Sequence, residues 1–161
     1  MGKTLVTYFS ASGVTKKLAE TIAETQKWDI KEIEPAVPYS DADLNWTDSH
    51  SRSTVEMRDK DSRPEMKQPI DVSGYDTIFV GFPIWWGVAP HVVNTFLESQ
   101  DFSGKTIVPF ATSGGSGMGH TADELQKSAP GAHVRNGRVM SARESGKAVA
   151  QWIDGLNLQF I

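Results

Sequence analysis

Apolar residues along this chain fall into short β-type runs separated by helically spaced stripes. Residues 3–9 (Lys-Thr-Leu-Val-Thr-Tyr-Phe) are rich in β-branched and aromatic types, as a buried strand requires. Val14, Leu18 and Ile22 follow at helical spacing, with Ala19 and Ala23 beside them. Residues 29–34 read as a second, shorter strand stopped by Pro35, and residues 78–82 as a third ending at Pro83. Val92, Val93, Phe96 and Leu97 mark a helix running to about Gln100. Residues 105–111 form a fourth strand opened by a turn at Gly104. A helix near 119–128, a weak fifth strand around 132–140 and a last helix near 143–156 complete the series. Strands alternate with helices throughout, which predicts an α/β fold with a mostly parallel sheet covered on both faces.

One stretch breaks the rhythm. Residues 35–74 are polar, punctuated by proline and rich in both charges, with Thr54, Val55 and Met57 pointing to a short helix. Such an excursion is either a solvated connector or a flap over a ligand site. A chain of 161 residues fits a single domain, 1–161, with this excursion inside it.

Composition narrows the chemistry. The formal charge of −4 supplies no concentrated basic face, so nucleic acid is not an expected partner. With 0 cysteines there are no disulfides, thiolate nucleophiles or iron–sulfur clusters, and electron transfer would need an organic cofactor. His50, His91, His120 and His133 show no metal-ligand spacing, so no metal site is expected. No run reaches transmembrane length and no leader-like segment is evident, giving a cytoplasmic protein without a membrane span as the expectation.

In a doubly wound sheet the loops that follow strands share the carboxyl edge, where ligands bind. Three such loops here have unusual chemistry. Ser10-Ala11-Ser12-Gly13-Val14-Thr15 leaves a strand and enters a helix, so backbone N–H groups and three hydroxyls face outward at the positive end of the helix dipole. That suits a phosphate, with Lys16 and Lys17 adding a weak positive field; the plainer reading is a helix start capped by Ser12. Pro83-Ile84-Trp85-Trp86-Gly87 places two adjacent indoles after a strand. Neighbouring residues face different ways, so one packs inward while the other stands over a cleft, a natural stacking surface for a flat ring. Thr112-Ser113-Gly114-Gly115-Ser116-Gly117 offers accessible backbone donors and acceptors of the kind an isoalloxazine edge needs; taken alone, its plainer reading is a flexible connector.

In order and at these spacings, the motifs resemble the flavodoxin superfamily, in particular its short single-domain FMN-binding group. The parts are Tyr8-Phe9-Ser10-x-Ser12-Gly13-x-Thr15, then Tyr75-Asp76-Thr77-Ile78 before Gly81-Phe82-Pro83-Ile84-Trp85-Trp86-Gly87, then Phe110 to Gly117. The resemblance implies a three-layer α/β/α fold around a five-stranded parallel sheet of order 2-1-3-4-5. It implies FMN, its phosphate on Ser10, Ser12, Gly13, Val14 and Thr15. The flavin would lie between Pro83, Ile84, Trp85, Trp86 and Gly87 on one side and Thr112, Ser113, Gly114, Gly115, Ser116 and Gly117 on the other. Val14 departs from the Asn often found before the final Thr of the phosphate loop.

Two functions stay open on this resemblance. One is an oxidoreductase that takes a hydride from NAD(P)H and passes electrons to a small quinone-like acceptor, the cofactor carrying the chemistry so that no catalytic side chain is needed. The other is a one-electron carrier docking with redox partner proteins; the acidic tracts and paired aromatics of long-chain electron shuttles are absent. A non-redox nucleotide-binding domain on the same fold is a third class. Many flavin reductases of this size complete their sites across a dimer, which by analogy makes a homodimer one option for this chain. Of the remaining residues, His91 and His120 are expected to be structural or solvated, with the flavin edge as the alternative for either and His120 the better candidate for it. Arg52, Arg58, Lys60 and Arg63 are expected to pair with nearby acids, and Tyr39 and Trp46 to cap the flavin. Trp28 and Trp152 read as core or interface.

Overall fold

The structure is a computed structural model and describes residues 3–113, 115 and 117–158. Its elements in chain order are β1 (Thr4–Tyr8), α1 (Val14–Gln26), β2 (Asp29–Glu32), α2 (Arg52–Arg58), β3 (Thr77–Pro83) and α3 (His91–Glu98). Then come β4 (Thr106–Thr112), α4 (Thr121–Ser128), β5 (His133–Val134), β6 (Arg138–Val139) and α5 (Gly146–Gly155). The sheet is parallel, with order β2-β1-β3-β4-β5, and β6 also pairs with β4.

Apart from the exposed edge strand β2, both faces of the sheet are buried, and the period-2 alternation divides the apolar residues between them. Leu5, Ile78, Val80, Phe82, Ile107 and Ala111 pack with Val92, Val93, Phe96 and Leu97 of α3 and Leu125 of α4. Val6, Tyr8, Phe79, Val108 and Phe110 pack with Leu18, Ala19 and Ile22 of α1 and Val149 and Ile153 of α5. Trp28 and Trp152 close this second layer against Phe79, at ring-centroid distances of 5.0 and 5.9 Å. At Gly81 this layer leaves no room for a side chain: a Cβ there would lie 2.3 Å from the ring of Phe110, itself fully buried.

The expected strand order is present, and the fifth position differs in one respect. It is divided between β5 and β6. Thr106 and Ile107 pair with His133 and Val134, whereas Phe110 and Ala111 pair with Arg138 and Val139, so residues 108 and 109 face three residues, 135–137. The carbonyls of Ile107 and Ala111 accept from Arg135 N (2.8 Å) and Met140 N (2.8 Å), so alternate β4 residues turn their peptide groups toward this side. Pro109 belongs to that alternate set and has no N–H to donate, which is where the pairing breaks. The last helix also starts later than its apolar pattern suggests, at Gly146, because Ser145 caps it by accepting from Ala148 N at 3.1 Å.

The excursion is folded rather than solvated throughout. Pro35 and Met66 form an antiparallel bridge, and Ala36 N–Glu65 O (2.7 Å) and Lys67 N–Glu34 O (2.8 Å) pinch its base. Within it α2 is capped by Ser51, and after α2 Ile70 and Val72, still inside the excursion, enter the core. Arg52 donates through Nε to Glu56 (2.9 Å) and through an NH group to Val37 O (2.8 Å), and its guanidinium lies 3.8 Å from the Tyr39 ring centroid. Arg63 instead reaches Glu98 on α3, at 3.0 Å.

Candidate functional site

The first strand–helix loop presents an open helix end. Gly13 holds the N-cap position of α1 with φ 90°, a left-handed conformation that costs glycine little. No side chain among the described residues caps that end, so Ser12 does not act as the N-cap. The first turn carries no carboxylate, leaving its N–H groups and dipole unneutralised. Ser10 Oγ accepts from Gly13 N at 3.0 Å and shapes the turn. Thr15 is buried, its hydroxyl 2.8 Å from that of Thr112, so it ties α1 to the end of β4.

The second loop is a two-residue reversal. Trp85 N donates to Val88 O at 2.9 Å and Val88 N returns to Trp85 O at 3.2 Å, with Trp86 at φ 50° and Gly87 at φ 83° between them. Positive φ at both central residues is the type I′ pattern. The two indoles separate as expected. Trp85 packs inward, edge-on to Phe9 (5.7 Å) and Tyr39 (5.4 Å), while Trp86 stays 52% exposed despite its unfavourable backbone.

The third loop adjoins the second. Ile84 N donates to Thr112 O at 2.9 Å, and the hydroxyl of Thr121, at the start of α4, donates to Gly87 O at 3.2 Å. Gly115 and Gly117 are exposed; Gly114 and Ser116 lie outside the described residues.

Two clefts meet along the Pro83–Trp85 ridge. The larger, about 660 Å³, is lined by Ser12, Val14, Pro83, Ile84, Trp85, Thr112 and Ser113, together with residues 139–144. The second, about 450 Å³, shares Ser12, Pro83, Ile84 and Trp85 and adds Ala11, Leu44, Trp46, Ser53 and Trp86. Ser10 lies apart, in a smaller hollow of about 220 Å³ beside Glu32 and Tyr39. Gly13, Thr15, Gly87, Gly115 and Gly117 line neither cleft. The segment Met140–Glu144 and residues Leu44 and Ser53 carry no sequence signal of a site: they sit in irregular polar stretches, and only the topology delivers them to this edge.

Ser53 is the unusual member. It is 2% exposed, its backbone N–H donates to Asp43 O at 3.0 Å, and its hydroxyl is the buried side-chain polar atom without a partner among the described residues. An unpartnered buried polar group costs about 1–3 kcal/mol. The neighbouring hydroxyls of Ser51 and Thr54 bond to each other at 2.9 Å.

Tyr39 and His91 have structural partners. Burial, and then the hydrogen bond to Glu56, push the Tyr39 phenol well above its ordinary range, so it stays a neutral donor to that carboxylate. Tyr39 therefore stands behind Trp85, while Trp46, 73% exposed, is the excursion aromatic that reaches a cleft. His91 lines neither cleft: it is buried with Nδ1 2.6 Å from Ser62 Oγ, and burial, then the Arg63 charge, lower its pKa below 6.5. His120 is exposed at the start of α4 and also lines neither. No group of three or more His, Asp or Glu side chains among the described residues is placed to hold a metal ion.

The chain matches the family model described as flavodoxin over residues 3–156. It is similar to a crystal structure of a provisionally classed flavoprotein from Bacteroides eggerthii, with 43% identity and TM-score 0.92, over 99% of this chain and 100% of that one. A second, likewise provisional, flavoprotein from Bacteroides uniformis is 49% identical with TM-score 0.90, over 95% and 98% of the two chains. A flavoprotein from Lactobacillus acidophilus, crystallised in complex with FMN, is 25% identical with TM-score 0.70, over 95% and 99%. No curated protein sequence gives a significant match. No helix among the described residues is long and apolar enough to cross a membrane.

Proposed function

Because the chain belongs to the flavodoxin family, we propose that it binds FMN and uses it to reduce small acceptors such as quinones, with NAD(P)H as the electron donor. The observation that carries this reading is the uncapped, carboxylate-free start of α1 beside Ser12, at the mouth of a cleft of about 660 Å³. Backbone N–H groups at such an end favour a phosphate dianion. Within residues 10–15 the backbone N–H groups of the helix start and the Ser12 hydroxyl would hold that phosphate, and the loops at 83–87 and 112–117 would flank the ring. The L. acidophilus relative, crystallised with FMN, supports the choice of cofactor. Bound FMN would supply reversible two-electron chemistry. The chain would supply an anion site, aromatic surfaces and exclusion of water.

The test is the absorption spectrum of the purified protein, then FMN titration of stripped protein and turnover with NADPH and a quinone. Yellow protein, quenching of FMN fluorescence and fast quinone-dependent NADPH oxidation are expected. Colourless protein that leaves FMN fluorescence unquenched defeats the cofactor assignment. Bound FMN with only slow NADPH oxidation moves the protein to the other reading, a one-electron carrier with protein partners.

A further inference from the structure

Across the Pro83–Trp85 ridge from the proposed cofactor cleft lies the cleft of about 450 Å³, roofed by the excursion. Resting on the flavin reading above, we propose that this second cleft is the acceptor site. It would take a neutral, planar aromatic carbonyl compound of naphthoquinone size, with Ser53 donating a hydrogen bond to the carbonyl oxygen.

Three features point to that ligand class. The lining contains no Asp, Glu, Lys, Arg or His among the described residues, so it offers no counter-charge to the phosphates of a nicotinamide dinucleotide. It presents indoles that the fold leaves open, Trp46 at 73% and Trp86 at 52% exposure, and flat aromatic surfaces stack on flat ligands. It also contains the hydroxyl of Ser53, buried and without a partner among the described residues, although its neighbours Ser51 and Thr54 are satisfied by one another. A buried hydroxyl without a partner calls for an explanation, and a ligand carbonyl supplies one.

The excursion thus closes the site from the β2 side and sets its specificity. The reaction served is NAD(P)H + H⁺ + quinone → NAD(P)⁺ + hydroquinone. The nicotinamide is oxidised, and both quinone carbonyl oxygens end as hydroxyls, one proton coming from solvent.

The test uses the full chain loaded with FMN in its oxidised state and two probes, 1,4-naphthoquinone and the carbonyl-free naphthalene, with binding followed by calorimetry. The chain has 0 cysteines, so no thiol traps the quinone. Wild type is expected to prefer the quinone by roughly three- to tenfold, the effect of one neutral hydrogen bond. Ser53→Ala should erase that preference while leaving naphthalene and FMN affinities within about twofold. Trp46→Ala should weaken both probes. Ser53→Ala should also leave the melting temperature of ligand-free protein unlowered, since the hydroxyl has no partner to lose; a clear drop overturns its assignment as idle. An unchanged quinone preference in Ser53→Ala, or undiminished binding in Trp46→Ala, overturns the acceptor site and leaves the flavin reading standing. Loss of FMN affinity in Ser53→Ala gives this cleft to the cofactor and overturns the proposal. Failure of wild type to take up FMN overturns the flavin reading and this site with it.

Discussion

At the scale of single residues, Trp86 pays for its position. An indole at φ 50° occupies the left-handed region, which costs an L-residue roughly 1–2 kcal/mol. In return the fold leaves it half in solvent, where it packs against little. The type I′ turn it shares with Gly87 is best filled by Asn-Gly. Trp86→Asn is therefore expected to raise the melting temperature of ligand-free protein by a few degrees. The same change should weaken 1,4-naphthoquinone by up to roughly tenfold through lost stacking, since Trp86 lines the acceptor cleft and not the larger one. Thermal scans of ligand-free protein and calorimetry with naphthoquinone measure the two effects; a variant that gains stability and keeps full quinone affinity would remove Trp86 from the acceptor site. Ser53 shows the same logic in a side chain, a local cost that the surrounding packing sustains. Gly81 shows the opposite case, a residue kept small because the Phe110 ring occupies the space a Cβ needs.

At the scale of elements, the joint between α3 and the excursion is held by two polar contacts. Ser62 meets His91, and Arg63 meets Glu98, whose carboxyl pKa is lowered chiefly by the hydrogen bond from Arg63. His91 is buried neutral, facing Arg63 with Glu56 and Asp59 nearby, and its folded pKa lies below the ordinary 6.5. The unfolded chain therefore binds more protons just below pH 6.5, and stability falls as pH drops through that value toward the folded pKa. Above it the contribution is complete. His91→Gln should flatten the decline in melting temperature between about pH 7 and pH 5, relative to wild type. Parallel curves for the two proteins would remove His91 from the joint. The outer strand is another element-scale matter, since Pro109 interrupts pairing on one side of β4 and leaves β5 and β6 as two short pieces.

At the scale of the whole molecule, loops from β1, β3, β4 and β6 and the excursion after β2 meet at one edge of the sheet. A ligand spanning them binds only the folded state. FMN at about 100 times its Kd is then worth roughly 2.7 kcal/mol, which for a chain of this size is a rise of roughly 5–10 °C in melting temperature. Calorimetry at several FMN concentrations checks the logarithmic dependence. A melting temperature indifferent to FMN would place any flavin outside the cooperative fold.

Much of this architecture is legible in the sequence. The β-branched runs at 3–9 and 78–82 and the stripe through Val14, Leu18 and Ile22 dictate strands and helices because burial of one periodic face is a local property of the chain. The motifs at 10–15, 83–87 and 112–117 follow those strands directly, so strand order alone assigns them to one edge. What the sequence does not contain is direction and distance. That Trp85 turns in and Trp86 out depends on a left-handed turn whose stability comes from the fold. That Thr15 is spent on Thr112, 97 positions away, depends on how α1 lies against β4. Leu44, Trp46 and Ser53 sit in a polar excursion with no periodic pattern to orient them, and the 139–144 segment follows a strand too short to read. These residues reach the clefts through long-range packing, and packing is decided only when the whole chain is folded.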